Sequence, residues 1–230
     1  MDVNSSHGFP FAIVGFDLDG TLLDTSGDLT AAVNHALGSI GRAPLSVEAV
    51  KPMIGGGARA MLRHGLDATG GHDAETLDRL HHLLLEYYEA HLAVHTAPFP
   101  GAIEALDELA ARGVTLGIMT NKLERFARAI LGALDLTDRF ASIIGGDTLG
   151  VAKPSPRPIQ ALVEQCGGGK AAFVGDSIFD VQAARAARLP VITCSFGFLS
   201  QSVEALGGDA IIDSYAELIP TLTRLSPSAT

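Results

Sequence analysis

Tryptophan is absent from this 230-residue chain, cysteine occurs twice, and aromatic residues make up only 6% of it. Cys166 and Cys194 form no CxxC motif, and a two-cysteine chain without an export signal is expected to be reduced and cytoplasmic. Basic residues are also scarce. Sixteen Lys and Arg stand against 26 Asp and Glu, for a net charge of -10. A broad nucleic-acid footprint needs a basic face to displace counterions, and an anionic membrane surface makes the same demand, so both partners are excluded as expectations. A small anionic substrate is not, because a metal ion and a few local donors override the global field. Long apolar runs are missing too: the stretch Phe9–Phe16 is too short for a membrane span or a signal core and has no basic leader. What is present is a core-forming composition, 47% apolar and 18% charged, with 26 Gly and 11 Pro for turns. The length suits one large domain, or a core domain with a smaller insert.

Phe11–Phe16 reads as a strand buried on both faces, and Val114–Met119, Ala171–Gly175 and Leu189–Cys194 resemble it. Ala141–Ile144 and Ala210–Ile212 are shorter candidates. Helical patterns lie between them, at Ala102–Ala111, Leu123–Leu134, Pro156–Cys166 and Phe179–Ala187. Strand alternating with helix predicts βαβ units, an α/β fold with a Rossmann-like three-layer core and a central parallel sheet. Between Asp24 and Pro98 the alternation stops. No strand is evident there, and helices are expected near 29–40, 47–53, 58–66 and 73–94. The predicted organisation is therefore a catalytic core from 1–24 and 98–230, with an all-helical cap from 25–97. The tail Ser226–Thr230 is expected to fray.

In open parallel sheets, ligands bind beyond the carboxyl ends of the strands. The first strand is followed there by Asp17-Leu-Asp-Gly-Thr21. Thr120 and Asn121 follow the second, Lys153 lies beyond the third, and Asp176, Ser177 and Asp180 follow the fourth. Asp17 and Asp19 fall on one side if strand geometry continues through them. Two such carboxylates repel, and a hard divalent cation would compensate; magnesium prefers carboxylate and water oxygens. Asp176 would supply a further ligand. Asp17, kept ionised by the metal and Lys153, could attack phosphorus and form an aspartyl-phosphate. Asp19 is better placed to protonate the leaving oxygen and then to deprotonate water, touching the metal through its backbone carbonyl. Thr21, Thr120, Asn121 and Lys153 would serve the phosphate.

Asp17-Leu-Asp-Gly-Thr21, Thr120-Asn121, Lys153-Pro154 and Gly175-Asp-Ser-Ile-Phe-Asp180 resemble the four motifs of the haloacid dehalogenase superfamily, in its phosphatase branch. The insert resembles that superfamily's C1 cap. The segment from Gly175 through Ala187, with Ser195-Phe-Gly197, is similar to phosphoglycolate phosphatases. The resemblance implies the aspartyl-phosphate mechanism and Mg2+ held by Asp17, the Asp19 carbonyl and Asp176. It implies supporting roles for Ser177 and Asp180, the latter steadying Lys153 or a metal-bound water. Arg188 departs from it, standing where relatives commonly have Gly.

The substrate is expected to be a small phosphate monoester, with 2-phosphoglycolate the best single choice. A sugar phosphatase or a phosphomutase of the same chemistry is the alternative, and a non-catalytic binding protein on this fold is further off. The cap sets that choice. Gly55-Gly56-Gly57 and Arg59 read either as a flexible turn with a solvated arginine or as a loop over the site that pairs with a substrate carboxylate. The insert also holds His35, His64, His72, His81, His82 and His91, with His95 at its end. His91 and His95 have metal-ligand spacing, but without a third ligand they read as solvated. A monomer or a homodimer is expected.

Overall fold

The computed structural model describes residues 9–225, so the tail at 226–230 lies outside it. Strand β1 is Ile13–Phe16 and is buried throughout. It begins two residues later than its apolar run suggests. A two-residue strand β2, Leu23–Asp24, follows, and then a helical insertion: α1 (Ser26–Gly38), α2 (Val47–Val50), α3 (Ala58–Ala68) and α4 (Ala74–Ala90). The chain returns through β3, Ala97–Pro98, and α5, Ala102–Ala111. Regular alternation then runs through β4 (Thr115–Met119), α6 (Glu124–Ala133), β5 (Ser142–Ile144), α7 (Arg157–Gln165), β6 (Ala171–Gly175), α8 (Ile178–Ala186) and β7 (Val191–Cys194). It closes with α9 (Val203–Leu206), β8 (Ala210–Ile212) and α10 (Leu218–Arg224). No helix among the described residues is long and apolar enough to cross a membrane.

The six longer strands form one sheet in the order β5-β4-β1-β6-β7-β8, all parallel. The order reverses around β1, so the crevice where α/β sheets take ligands opens at the carboxyl ends of β4, β1 and β6. Each sheet face carries its own apolar layer. Ile159, Leu162, Val181 and Val203 cover one, from α7, α8 and α9. Leu106, Leu109, Ile130, Leu218 and Leu222 cover the other, from α5, α6 and α10, and that layer continues into the insert through Leu37, Leu62 and Leu84.

The insertion departs from the sequence reading in three places. First, its two ends are tied by an antiparallel strand pair, Leu23 opposite Pro98 and Asp24 opposite Ala97; two residues are too few to show a period. Second, the expected helix at 47–53 is α2 followed by a 3-10 turn over Lys51–Met53, because Pro52 cannot donate a helical hydrogen bond. Third, the helix expected to reach residue 94 stops at Ala90, and Ala93 takes a left-handed φ of 57° as the chain turns back. His91 and His95 therefore do not share a helix. The His91 ring stacks on Tyr87 and its Nδ1 meets the Tyr87 carbonyl at 2.8 Å. The backbone amides of His95 and Thr96 donate instead to Asp28, on the first turn of α1.

Candidate active site

β1 leads directly into Asp17, whose amide still donates to the Val174 carbonyl of β6 at 2.9 Å. The next residues leave the sheet in a tight loop. Leu22 and Leu23 both donate back to the Leu18 carbonyl, and Gly20 takes a φ of 80°. A side chain at Gly20 would also collide, since its Cβ would lie 2.2 Å from Asp176 Oδ2. Gly197 approaches Asp176 from the β7 loop just as closely. Between these two glycines the Asp176 carboxylate is gripped on both oxygens. Oδ1 accepts from the Thr21 hydroxyl at 3.0 Å and Oδ2 from the Phe198 amide at 2.6 Å.

Two buried ammonium groups organise the remaining carboxylates. Lys153 Nζ lies 2.9 Å from Asp17 Oδ1 and 2.6 Å from Asp180 Oδ1, and donates to the Met119 carbonyl at 3.1 Å. Lys122 Nζ lies 2.8 Å from both oxygens of Asp19, whose Oδ1 also accepts from the Thr25 hydroxyl at 2.7 Å. Asp180 holds Ser177 in a capping box at the start of α8, taking the Ser177 amide and hydroxyl on Oδ2. Asp17 uses Oδ1 for Lys153 and for the Leu18 amide at 2.7 Å, while Oδ2 has no protein donor among the described residues.

Four buried carboxylates (Asp17, Asp19, Asp176, Asp180) thus face two ammonium groups, leaving two negative charges unbalanced. The electrostatics register the excess. Burial, opposed by Lys153 and helped by Asp180 and Asp19, raises Asp17 to about 7. Burial also raises Asp176 well above the ordinary carboxylate range, with Asp180 and Asp17 adding to it. Burial alone would lower both lysines, but Asp19 holds Lys122 up, and Asp17 and Asp180 hold Lys153 up. A divalent cation would match the missing charge. Oxygens of Asp17, Asp176 and Asp180 come within 4.8 Å of one another, and an all-carboxylate set suits a hard cation. Asp180 is neutralised by the Lys153 ammonium and capped by Ser177, whereas Asp176 accepts only from the neutral Thr21 hydroxyl and Phe198 amide among the described residues and Asp17 keeps Oδ2 free, which leaves Asp17 and Asp176 as the acids with charge to offer. The Asp19 carbonyl accepts no hydrogen bond among the described residues and completes the donor set.

A cavity of about 300 Å³ opens above these groups, between the sheet edge and the insertion. Asp17, Asp19, Thr120, Asn121 and Lys153 line it from the core, and Gly55, Gly56, Gly57 and Arg59 from the insertion. Sequence reasoning named all nine as candidates, the four from the insertion as one of two open readings. Thr21 lies outside that lining, fully buried, with its hydroxyl turned to Asp176. The Asn121 side chain is also spent, donating to the carbonyls of Gly55 at 3.0 Å and Lys153 at 3.2 Å, so it fastens the insertion's glycine loop to the core. Its backbone amide and the Thr120 hydroxyl remain for a phosphate. Arg59 stands at the rim, half exposed and paired with Asp78 at 2.5 Å.

Three participants escaped the sequence reading. Lys122 directly follows the polar pair Thr120-Asn121 at the end of β4, and reading that pair as a triplet would have found it. Thr25 precedes the first helix of the insertion, where a hydroxyl reads as an ordinary cap. Tyr88 looked like one more apolar position of α4.

The chain resembles known proteins over most of its length. Residues 14–194 match the family model described as haloacid dehalogenase-like hydrolase. A phosphoglycolate phosphatase of Caulobacter vibrioides is 39% identical over 219 residues, covering 94% of this chain and 92% of its own. One from Rhodospirillum rubrum is 42% identical over 217 residues, covering 91% and 89%. Among solved structures, a predicted phosphoglycolate phosphatase from Haemophilus somnus superposes with a TM-score of 0.86 at 28% identity, covering 92% of this chain and 98% of that one.

Proposed function

The chain belongs to the haloacid dehalogenase-like hydrolases, and from that premise we propose that it cleaves 2-phosphoglycolate to glycolate and phosphate with Mg2+ as cofactor. It is a phosphoric monoester hydrolase acting on a small phosphorylated substrate. The observation that carries the finer reading is Asp17 Oδ2, a carboxylate oxygen with no protein donor, beside a cavity of about 300 Å³. The cavity's cap side is walled by the apolar Ile54, Met61 and Leu84, which favours a short ester over a sugar phosphate, whose hydroxyls would need partners. The relatives' printed activity points the same way.

In this reading Asp17 Oδ2 attacks phosphorus, the ester P–O bond breaks, and Asp19, having first taken up a proton, passes it to the leaving oxygen. Water, deprotonated by Asp19, then attacks the aspartyl-phosphate, releasing phosphate and restoring Asp17. Lys153 orients Asp17 and offsets charge on the phosphoryl oxygens, joined by the Thr120 hydroxyl and the Asn121 amide. Asp17, Asp176 and the Asp19 carbonyl would hold the cation, which would supply positive charge for the phosphoryl oxygens. Thr21 steadies Asp176, while Asp180 and Ser177 steady Lys153. The segment 25–97 acts as a cap domain, with Gly55–Gly57 its roof and Arg59 at the mouth, drawing anions inward.

Phosphate release from 2-phosphoglycolate tests this. Turnover should require magnesium, vanish on full chelation, and fall at least about a thousandfold in Asp17→Asn while the far-UV CD spectrum is unchanged. Turnover that survives chelation, or an Asp17→Asn enzyme within tenfold of the parent, would overturn it.

A further inference from the structure

The cavity contains one polar group that the hydrolytic scheme leaves unused. Tyr88, on α4, is 2% exposed, lines the cavity, and its hydroxyl has no hydrogen-bond partner. A buried hydroxyl without a partner costs on the order of 1–3 kcal/mol, so its retention asks for an occupant. Its ring lies 4.8 Å from Lys122 Nζ, so the hydroxyl and the ammonium bound the same part of the cavity.

Among the buried cations lining this cavity, Lys122 is the one with capacity to spare. Lys153 meets Asp17, Asp180 and the Met119 carbonyl, which accounts for its three hydrogens. Arg59 is half exposed and engaged by Asp78. Lys122 donates to the two oxygens of Asp19, and the third of its ammonium hydrogens lies on the Tyr88 side, where Tyr88 joins Asp19 in holding Lys122 charged.

We infer that Lys122 and the Tyr88 hydroxyl form a carboxylate subsite that selects phosphate esters bearing a carboxylate one carbon from the ester oxygen. This rests on Asp19 facing the leaving oxygen, as proposed above. In such an ester the leaving oxygen and the nearer carboxylate oxygen are about 3 Å apart, about three bonds and two carbons separating them. An ester oxygen within hydrogen-bond reach of Asp19 therefore brings its carboxylate to the ammonium that already touches Asp19. Lys122 supplies the charge and Tyr88 the second donor. A simple alkyl ester leaves both unanswered, and a longer acid overshoots them. The subsite spans the two parts of the molecule, Lys122 from the core and Tyr88 from the insertion, so a matching substrate would also hold the insertion over the site.

Calorimetric binding to the Asp17→Asn protein with magnesium tests this independently of turnover, using 2-phosphoglycolate and ethyl phosphate, which has a methyl group in place of the carboxylate. The parent should bind 2-phosphoglycolate at least tenfold more tightly, about 1.4 kcal/mol. Lys122→Met should reduce that ratio at least tenfold, and Tyr88→Phe, which keeps the ring and the packing, about threefold or more. Arg59→Ala should leave the ratio in place. Equal losses for both ligands in Lys122→Met and Tyr88→Phe would reduce Lys122 to a support for Asp19 and overturn the subsite, as would a ratio that collapses only in Arg59→Ala. Should Lys122→Met fail to fold, Tyr88→Phe decides. Selective binding of 2-phosphoglycolate by a parent enzyme that hydrolyses no ester would count against the phosphatase reading and leave the subsite standing.

Discussion

Asp28 shows how much a single buried carboxylate does outside the chemistry. It sits 3% exposed on the first turn of α1 and accepts from three donors, the His95 amide shared between its two oxygens, the Thr96 amide, and the Thr96 hydroxyl at 2.7 Å. It thereby pins the outgoing end of the insertion to the incoming one. Asp28→Ala should cost about 2–4 kcal/mol, because several donors lose a charged acceptor at once. In a chain of this size that is roughly 5–15 °C in Tm, with Asp28→Asn in between. Thermal unfolding checks it, and a loss under about 0.5 kcal/mol would mean water satisfies those donors. Asp28, Lys122 and Thr25 were not legible in the sequence for one reason: each acts through a partner that folding alone brings near. Lys122 meets Asp19 across 103 residues, and Asp28 meets Thr96 across 68. Asp17 and Asp19 were legible because they stand two residues apart, so their mutual repulsion is written into a single short stretch of sequence.

At the scale of elements, the helices and long strands were readable wherever a periodic apolar face ran for several residues, as in α5 and β6. The misread ends lie where a terminus is set by what the chain must reach next. α8 shows the opposite case, in which a departure noted in sequence acquires a structural cause. Past its C-terminus, Arg188 takes a φ of 62°, with the Arg188 amide on the Arg185 carbonyl and the Leu189 amide on the Ala184 carbonyl, both at 2.9 Å. This is the left-handed helix ending that favours glycine, so the departure at Arg188 carries a backbone cost. Arg188 is exposed and its side chain makes no hydrogen bond among the described residues. Arg188→Gly should therefore stabilise the protein by about 0.5–1 kcal/mol, relief of the Cβ strain outweighing the added freedom of the unfolded chain. The urea midpoint should rise at an unchanged slope. A lowered midpoint would show that unfolded-state entropy dominates.

For the molecule as a whole, the parallel sheet, the insertion after the first strands and the convergence of strand ends were foreseeable, because topology follows from alternation. The charge balance of the site was not, since counting its ammonium groups required Lys122. That balance couples folding, protons and metal. Asp17 is raised from the ordinary carboxylate range to about 7 by burial, and Asp176 is raised as well. A carboxyl group whose pKa is higher when folded contributes stability that is fully present below its unfolded value and is lost as the pH climbs through the folded one. The metal-free protein should therefore lose stability between about pH 4 and pH 7, as Asp17 and Asp176 are forced to ionise beside Asp180. Magnesium acts on the opposite side of the balance, favouring the ionised acids and releasing protons as it binds. The rise in Tm on adding millimolar magnesium should then be larger near about pH 8 than near about pH 6, and proton release should be measurable by calorimetry in buffers of different ionisation enthalpy. Asp176→Asn removes one of the two unbalanced charges. It should make the metal-free protein more stable at high pH while abolishing most of the magnesium response. A magnesium shift that is the same at both pH values, or that persists in Asp176→Asn, would place the cation somewhere other than between Asp17 and Asp176.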